Sequence, residues 1–302
     1  MNNQIEKKVI MSQVKYFCVS DVHSFYKELM HALENKEFDI ENTDHKLIIC
    51  GDAFDRGDET VAVFDLLKKL QNENRLIYIK GNHEELLFDC IEEMLSNKTP
   101  GSHHFHNKTV KTICQLCEQN EWIAYAPQSP DIRDLIKEKT SELREFIRKT
   151  CVDYFTLGNK IFVHSWIPCK IKGRDYTWNP TYEKPYDWIG RSESDLSTEE
   201  QHIYDAEWSA ARWGNPFLMW KNKLYPEGKC IVFGHYHVSY GHSRIDMKCK
   251  EWPQLNQPEQ MEKAFKPWIK ENAIGIDSCC AFSGKINCLV FDEEGNLIDY
   301  DE

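Results

Sequence analysis

Five short apolar runs in this chain each end in a polar segment that carries metal-binding side chains. The segments are Ser20-Asp21-Val22-His23, Gly51-Asp52-Ala53-Phe54-Asp55-Arg56-Gly57, Gly81-Asn82-His83-Glu84, Val163-His164-Ser165 and Gly234-His235-Tyr236-His237. The runs that precede them (14–19, 47–50, 76–80, 161–163 and 230–233) are too short for helices and rich in Val, Ile, Phe and Tyr, so they read as strands. Ligand side chains just beyond the carboxyl ends of strands are the placement found in open α/β sheets. Helical patterns fill the gaps at 25–35, 60–71 and 84–95; Val61, Phe64, Leu67 and Leu70 share one face of the second, and Leu86, Leu87, Cys90, Ile91 and Leu95 point inward from the third. This alternation predicts βαβ units and a largely parallel sheet, an α/β chain.

The remaining segments differ. Residues 98–155 combine a histidine-rich stretch with a charged, helix-prone one, and read as a helical insertion above or beside the sheet. Residues 170–225 hold Tyr176, Trp178, Tyr182, Tyr186, Trp188, Trp208, Trp213 and Trp220. A long aromatic segment next to His164 is expected to roof the site, most of its tryptophans forming a core of their own. Residues 273–292 read as two strands around a turn at Ser283-Gly284-Lys285. The expected organisation is one domain over 13–300 with these two insertions.

Composition narrows the function. A net charge of −12 and no basic stripe argue against nucleic acid as the partner. No run approaches the roughly 18 apolar residues of a membrane span, and the N-terminal segment lacks the apolar block of a signal peptide, so a cytoplasmic location is expected. Of the 12 cysteines, Cys18, Cys50, Cys230 and Cys288 sit inside apolar runs and are expected to be reduced core residues.

The polar segments supply enough oxygen and nitrogen donors for two neighbouring divalent cations. In Asp-x-His, alternate residues of an extended segment share a face, so Asp21 and His23 can hold one ion. Asp52, at the end of the next strand, is the natural bridging carboxylate. Asn82, His164 and His235 can hold the second ion, and His237 can complete the first. Oxygen and imidazole donors without thiolate suit Mn, Fe or Zn. A hydroxide between two such cations would attack phosphorus in line. Arg56 would clamp the phosphoryl oxygens. His83 would protonate the leaving oxygen, held in tautomer by Asp55. Glu84 is expected to brace the loop or cap the following helix. Each segment alone could be a turn and helix cap; their joint occurrence in order points to the metal site.

On these residues the chain resembles the calcineurin-like metallophosphoesterase superfamily. Within it, the chain is similar to the phosphoprotein phosphatase branch of bacterial serine/threonine protein phosphatases and diadenosine tetraphosphatases. Gly-Asp-x-x-Asp-Arg-Gly at 51–57 and Gly-Asn-His-Glu at 81–84 carry the resemblance, and Gly275-Ile276-Asp277-Ser278 with Ser283-Gly284-Lys285 resembles the closing hairpin of that branch. It implies a β-sandwich flanked by helices, with a dinuclear metal site at the strand ends. It also implies a second phosphate-binding arginine after a tryptophan, for which Arg212 in Trp208-Ser209-Ala210-Ala211-Arg212-Trp213 is the candidate. The chain departs from the branch at Ser24, where glycine is usual, at His164-Ser165-Trp166, where a bulky Trp166 suggests a changed pocket floor, and at Gly234-His235-Tyr236-His237, which looks like the wider superfamily.

The expected activity is metal-dependent hydrolysis of a phosphorylated substrate, either a phosphoprotein or a nucleotide or small phosphate ester. The rival readings are a nuclease of the same superfamily and a binding module that has lost catalysis. Cys114-Gln115-Leu116-Cys117 with His103, His104 and His106 could form a small zinc site, but a single Cys-x-x-Cys reads better as an ordinary helix.

Overall fold

The computed structural model describes residues 13–126, 129–174, 180–191, 193–248 and 262–300. Tyr176 and Trp178 lie outside the described residues. Two mixed sheets face each other. The first contains β1 (Lys15–Val19), β2 (His45–Cys50), β3 (Leu76–Ile79), β4 (Cys151–Val152), β12 (Leu289–Phe291) and β13 (Leu297–Asp299), in the order β13-β12-β1-β2-β3-β4. The second contains β5 (Phe155–Leu157), β6 (Lys160–Phe162), β9 (Cys230–Phe233), β10 (Trp268–Lys270) and β11 (Ala273–Gly275), in the order β10-β11-β9-β6-β5. A small hairpin, β7 (Cys169–Arg174) with β8 (Pro180–Pro185), stands apart.

The expected parallel sheet is therefore only the centre of each layer. Strands β1 to β4 run parallel, as do β6, β9 and β11, while β12, β13, β5 and β10 pair antiparallel at the edges. Parallel strands buried on both faces must be apolar at nearly every position, and β1 and β2 alternate their side chains between two cores. Phe17 and Val19 face a layer of helices, whereas Cys18, Ile48 and Cys50 face the second sheet, meeting Phe162, Val232 and Ile274.

Helices α1 (Tyr26–Asn35), α2 (Thr60–Asn72) and α3 (Asn82–Leu95) fall where the periodicity placed them. In α2, Val61 is exposed and Val63 is buried instead. The segment 98–155 forms α4 (Ser102–His106), α5 (Thr109–Cys117), a 3-10 turn and α6 (Pro130–Thr150). Val110, Ile113, Cys114 and Cys117 of α5, and Ile136, Leu143 and Ile147 of α6, join the same apolar cluster as β1, α1, α2 and α3. The second sheet is covered by α7 (Thr198–Arg212) and α8 (Pro216–Lys221), with an aromatic cluster of Trp166, Trp188, Trp208, Phe217 and Trp268.

Two further expectations fail. Strands β11 and β12 do not form a hairpin around residues 283–285: β11 pairs with β9 and β12 with β1, so the chain switches sheets between them. Trp166 is no pocket floor; it is fully buried, donates its indole N–H to the Leu224 carbonyl at 2.7 Å and packs edge-on to Phe233.

Candidate metal centre

Strand register brings the polar segments together. Val19 pairs with Ile49, and Cys50 with Ile79, so β1, β2 and β3 end at one level. Phe162, Val232 and Ile274 are aligned in the same way in the second sheet. The loops that follow all emerge on one rim of the sandwich. They turn sharply there: Asp21, His23, Ser24, Asp52, Asp55, Arg56 and His235 all have positive φ, between 49° and 75°. Non-glycine residues hold that conformation only where their surroundings impose it.

Side chain to backbone bonds impose it. Glu84 does not face the cavity; its carboxylate accepts the backbone N–H groups of Gly81, Asp52 and Ala53 and the Tyr78 hydroxyl. This is the brace expected of it. Gly51 adopts φ +81°, and a Cβ there would stand 2.3 Å from His164 Nδ1. At Gly234 a Cβ would stand 2.2 Å from the Asp21 carboxylate. Both glycines let loops from different strands approach one another.

Asp52 is the hub. Its Oδ2 lies 3.8 Å from His23 Nε2 and 3.9 Å from His83 Nε2, and its Oδ1 lies 3.5 Å from His164 Nε2. Two groups of three donors converge on it: His23, Asp52 and His83, and Asp52, His164 and His235. Burial opposes ionisation of Asp52, but the imidazoles of His164, His83, His23 and His235 outweigh it and hold the carboxyl below its usual range. Asp21 behaves oppositely. Burial, then the charges of Asp277 and Asp52, push its carboxyl well above the usual value. Burial also drives His23 down, and brings His235 to about 3 with help from His164.

The donor set fits cations. His23 Nδ1 lies 2.8 Å from the Phe54 carbonyl and His164 Nδ1 2.9 Å from the Cys50 carbonyl. A carbonyl only accepts, so each ring donates from Nδ1 and, in its neutral form, turns an Nε2 lone pair into the site. His164 Nε2 then meets Asn82 Oδ1 at 2.8 Å, two acceptors face to face. A cation bound by both reconciles that pair, and the backbone carbonyls behind the rings are the outer support that metal-ligating histidines need.

The chain matches the family model described as calcineurin-like phosphoesterase over residues 14–239, well over half its length. The chain belongs to that family. It is a metal-dependent phosphate ester hydrolase. It is similar to the asymmetrical bis(5'-nucleosyl)-tetraphosphatase PrpE of Oceanobacillus iheyensis, 22% identical over 287 residues, which covers 93% of this chain and 90% of the relative. Among solved structures, a cold-active protein-tyrosine phosphatase of a psychrophilic Shewanella species aligns with a TM-score of 0.46 and 13% identity, covering 96% of this chain and 81% of that one. A serine/threonine phosphatase from Saccharomyces cerevisiae aligns with a TM-score of 0.41 and 13% identity, covering 93% and 73%.

A cavity of about 120 Å³ at this candidate centre is lined by Asp21, His23, Asp52, Arg56, Asn82, His83 and His235. Trp213 of the aromatic segment also lines it, as do Asn107, Asp277, Cys279 and Cys280, which the sequence did not assign to the site. Asp277 carried the same signal as the five segments, an acid directly after the apolar run 273–276, and was hidden by the hairpin reading. His237 is half-buried outside this lining; burial raises the Asp277 carboxyl above its usual value, and the nearby His237 only partly opposes this.

Arg212 does not reach the cavity. Its guanidinium donates to Glu85 Oε1 at 2.6 Å, to Asp153 and to the Lys80 carbonyl. The neighbouring Trp213 is the residue of that segment that faces the site, edge-on to the His235 ring. The aromatic segment thus roofs little of the cavity among the described residues; it mostly packs on itself. Cys114 and Cys117 are buried in the helical layer with thiols pushed up to about 11 and 12 by burial, and neither belongs to a group of three metal donors among the described residues.

Proposed function

We propose that the chain hydrolyses dinucleoside polyphosphates or closely related nucleotide esters by direct attack of water, without a phosphoenzyme. The convergence of His23, His83, His164 and His235 on the single carboxylate of Asp52 carries this reading. In it, Asp21, His23 and Asp52 hold one divalent cation, with Asp277 and His237 beside them, while Asp52, Asn82, His164 and His235 hold another. Manganese, iron and zinc suit these donors. When bound, the cations activate water and neutralise phosphoryl charge.

The protein's own groups do the rest. Arg56 lies in the cavity wall with Nη2 3.4 Å from His83 Nε2, placed to bind phosphoryl oxygens beside the proton donor. His83 gives a proton to the leaving oxygen, and Asp55, 2.7 Å from His83 Nδ1, orients the ring. Arg212, held by two carboxylates, has a structural part here instead of the phosphate contact its sequence context suggested. The nucleotide preference draws on the near full-length similarity to a tetraphosphatase and on Trp213, an exposed aromatic surface at the cavity suited to stacking on a base. Eleven described cysteines are free thiols, which supports a reducing, cytoplasmic setting.

The test is turnover by metal-stripped protein given manganese. Diadenosine tetraphosphate should be cleaved faster than a phosphoserine peptide. Equal or inverted rates would remove the nucleotide assignment.

A further inference from the structure

The pair His83–Asp55 is anchored from a helix that none of the metal-binding segments includes. Helix α5 begins at Thr109, and its first turn presents Thr109 and Thr112 on one face, three residues apart. Both side chains are fully buried against Asp55. Thr112 Oγ1 lies 2.7 Å from Asp55 Oδ1 and also accepts the Asp55 backbone N–H at 3.0 Å. Thr109 Oγ1 lies 2.9 Å from Asp55 Oδ2. Because Thr112 accepts from the backbone, its own proton points at the carboxylate, and Thr109 donates in the same sense.

Asp55 therefore receives two hydroxyl protons and the His83 Nδ1–H, which leaves its carboxylate with no proton to share. The ring is held with Nδ1 donating and Nε2 turned to the cavity beside Arg56. The same helix also fixes the loop behind. Lys111 Nζ donates to the Arg56 carbonyl at 3.1 Å, Gln115 Nε2 donates to the Gly57 carbonyl at 2.9 Å, and Gln115 Oε1 accepts the Thr60 N–H at 2.9 Å. Asp55 and Arg56 sit at φ +75° and +61°, so this loop needs such support.

We propose that Thr109 and Thr112 are positioning residues for the phosphoester reaction, fixing the Asp55–His83 pair so that His83 Nε2 faces the leaving oxygen. This rests on the reading that His83 is the proton donor. Buried hydroxyls can be merely structural, so the readout must respond to proton donation. A leaving group that departs poorly as an anion needs the proton, whereas a nitrophenolate needs it far less.

The experiment compares phenyl phosphate with para-nitrophenyl phosphate, using manganese-loaded wild type, Thr109→Val, Thr112→Val, the double variant, Thr112→Ser and His83→Ala. The double valine variant should lose about tenfold more kcat on phenyl phosphate than on para-nitrophenyl phosphate. Thr112→Ser should recover most of the loss that Thr112→Val causes. In metal-free protein with 15N-labelled histidine, the His83 Nδ1–H signal should shift or broaden in the valine variants and return in the serine variant.

A selective loss in His83→Ala with an even loss, or none, in the valine variants would overturn the positioning role alone. An even loss in His83→Ala would overturn the proton-donor reading beneath it. The single variants and the serine replacement keep the test open should the double variant fold poorly.

Discussion

The two outer layers of the sandwich are packed with different chemistry. Over the first sheet lies an aliphatic layer built from α1, α2, α3, α5 and α6, with Leu, Ile and Val at most buried positions. Over the second lies an aromatic layer of four buried tryptophans with Phe217 and Phe233. The helical layer reaches the candidate centre through directed bonds, such as those of Thr109 and Thr112 to Asp55. The aromatic layer reaches it through one ring surface, Trp213. Directed bonds fix geometry to a few tenths of an ångström, whereas an exposed ring only shapes what fits. On this contrast, the first layer is expected to govern turnover and the second to govern which substrate is held.

The contrast can be broken at several points. The largest effect is expected at the hub that both layers share. Asp52→Asn should lower kcat at least about 10³-fold while circular dichroism remains native, and activity within tenfold of wild type would remove Asp52 from the centre. In the helical layer, Ile113→Ala should destabilise the fold by about 3 kcal/mol, read by urea denaturation, and a change below about 1 kcal/mol would mean that α5 is not part of the main core.

At the border of the aromatic layer, Arg212→Gln should cost about 2 to 3 kcal/mol by removing the cation that Asp153 and Glu85 share, leaving Glu85 only Ser209 and Lys80. Its kcat/KM on para-nitrophenyl phosphate should stay within about threefold of wild type; a loss of about 100-fold would restore Arg212 as a phosphate ligand. The smallest change is expected for Trp213→Ala. Half exposed, it should contribute under about 1 kcal/mol to stability yet raise KM for diadenosine tetraphosphate several-fold, and an unchanged KM would break the assignment of substrate choice to this layer.

The same division runs through what the sequence revealed. Motifs at 20–23, 51–57 and 81–84 were legible because strand, ligand and helix follow each other within a few residues, each local preference agreeing with the fold. The link from α5 to Asp55 was not legible. Thr109 and Thr112 look like ordinary helix residues, and their partner lies more than fifty positions away. Arg212 was misplaced because a sequence context gives a residue type and no direction; its direction is set by Glu85 and Asp153. Asp277 was missed because two short strands near one turn suggest a hairpin, and only the pairing partners β9 and β1 show that they belong to opposite sheets.

That crossing has a consequence for how the protein is made. The link between β11 and β12 carries the chain from one sheet to the other, and β12 supplies the antiparallel neighbour of β1, which lies far earlier in the chain. Until residues 289–291 are synthesised, β1 has an open edge, a state in which strands recruit the wrong partner. Asp277 arrives on the same late segment. The rim of the candidate site is therefore complete only when the sandwich closes.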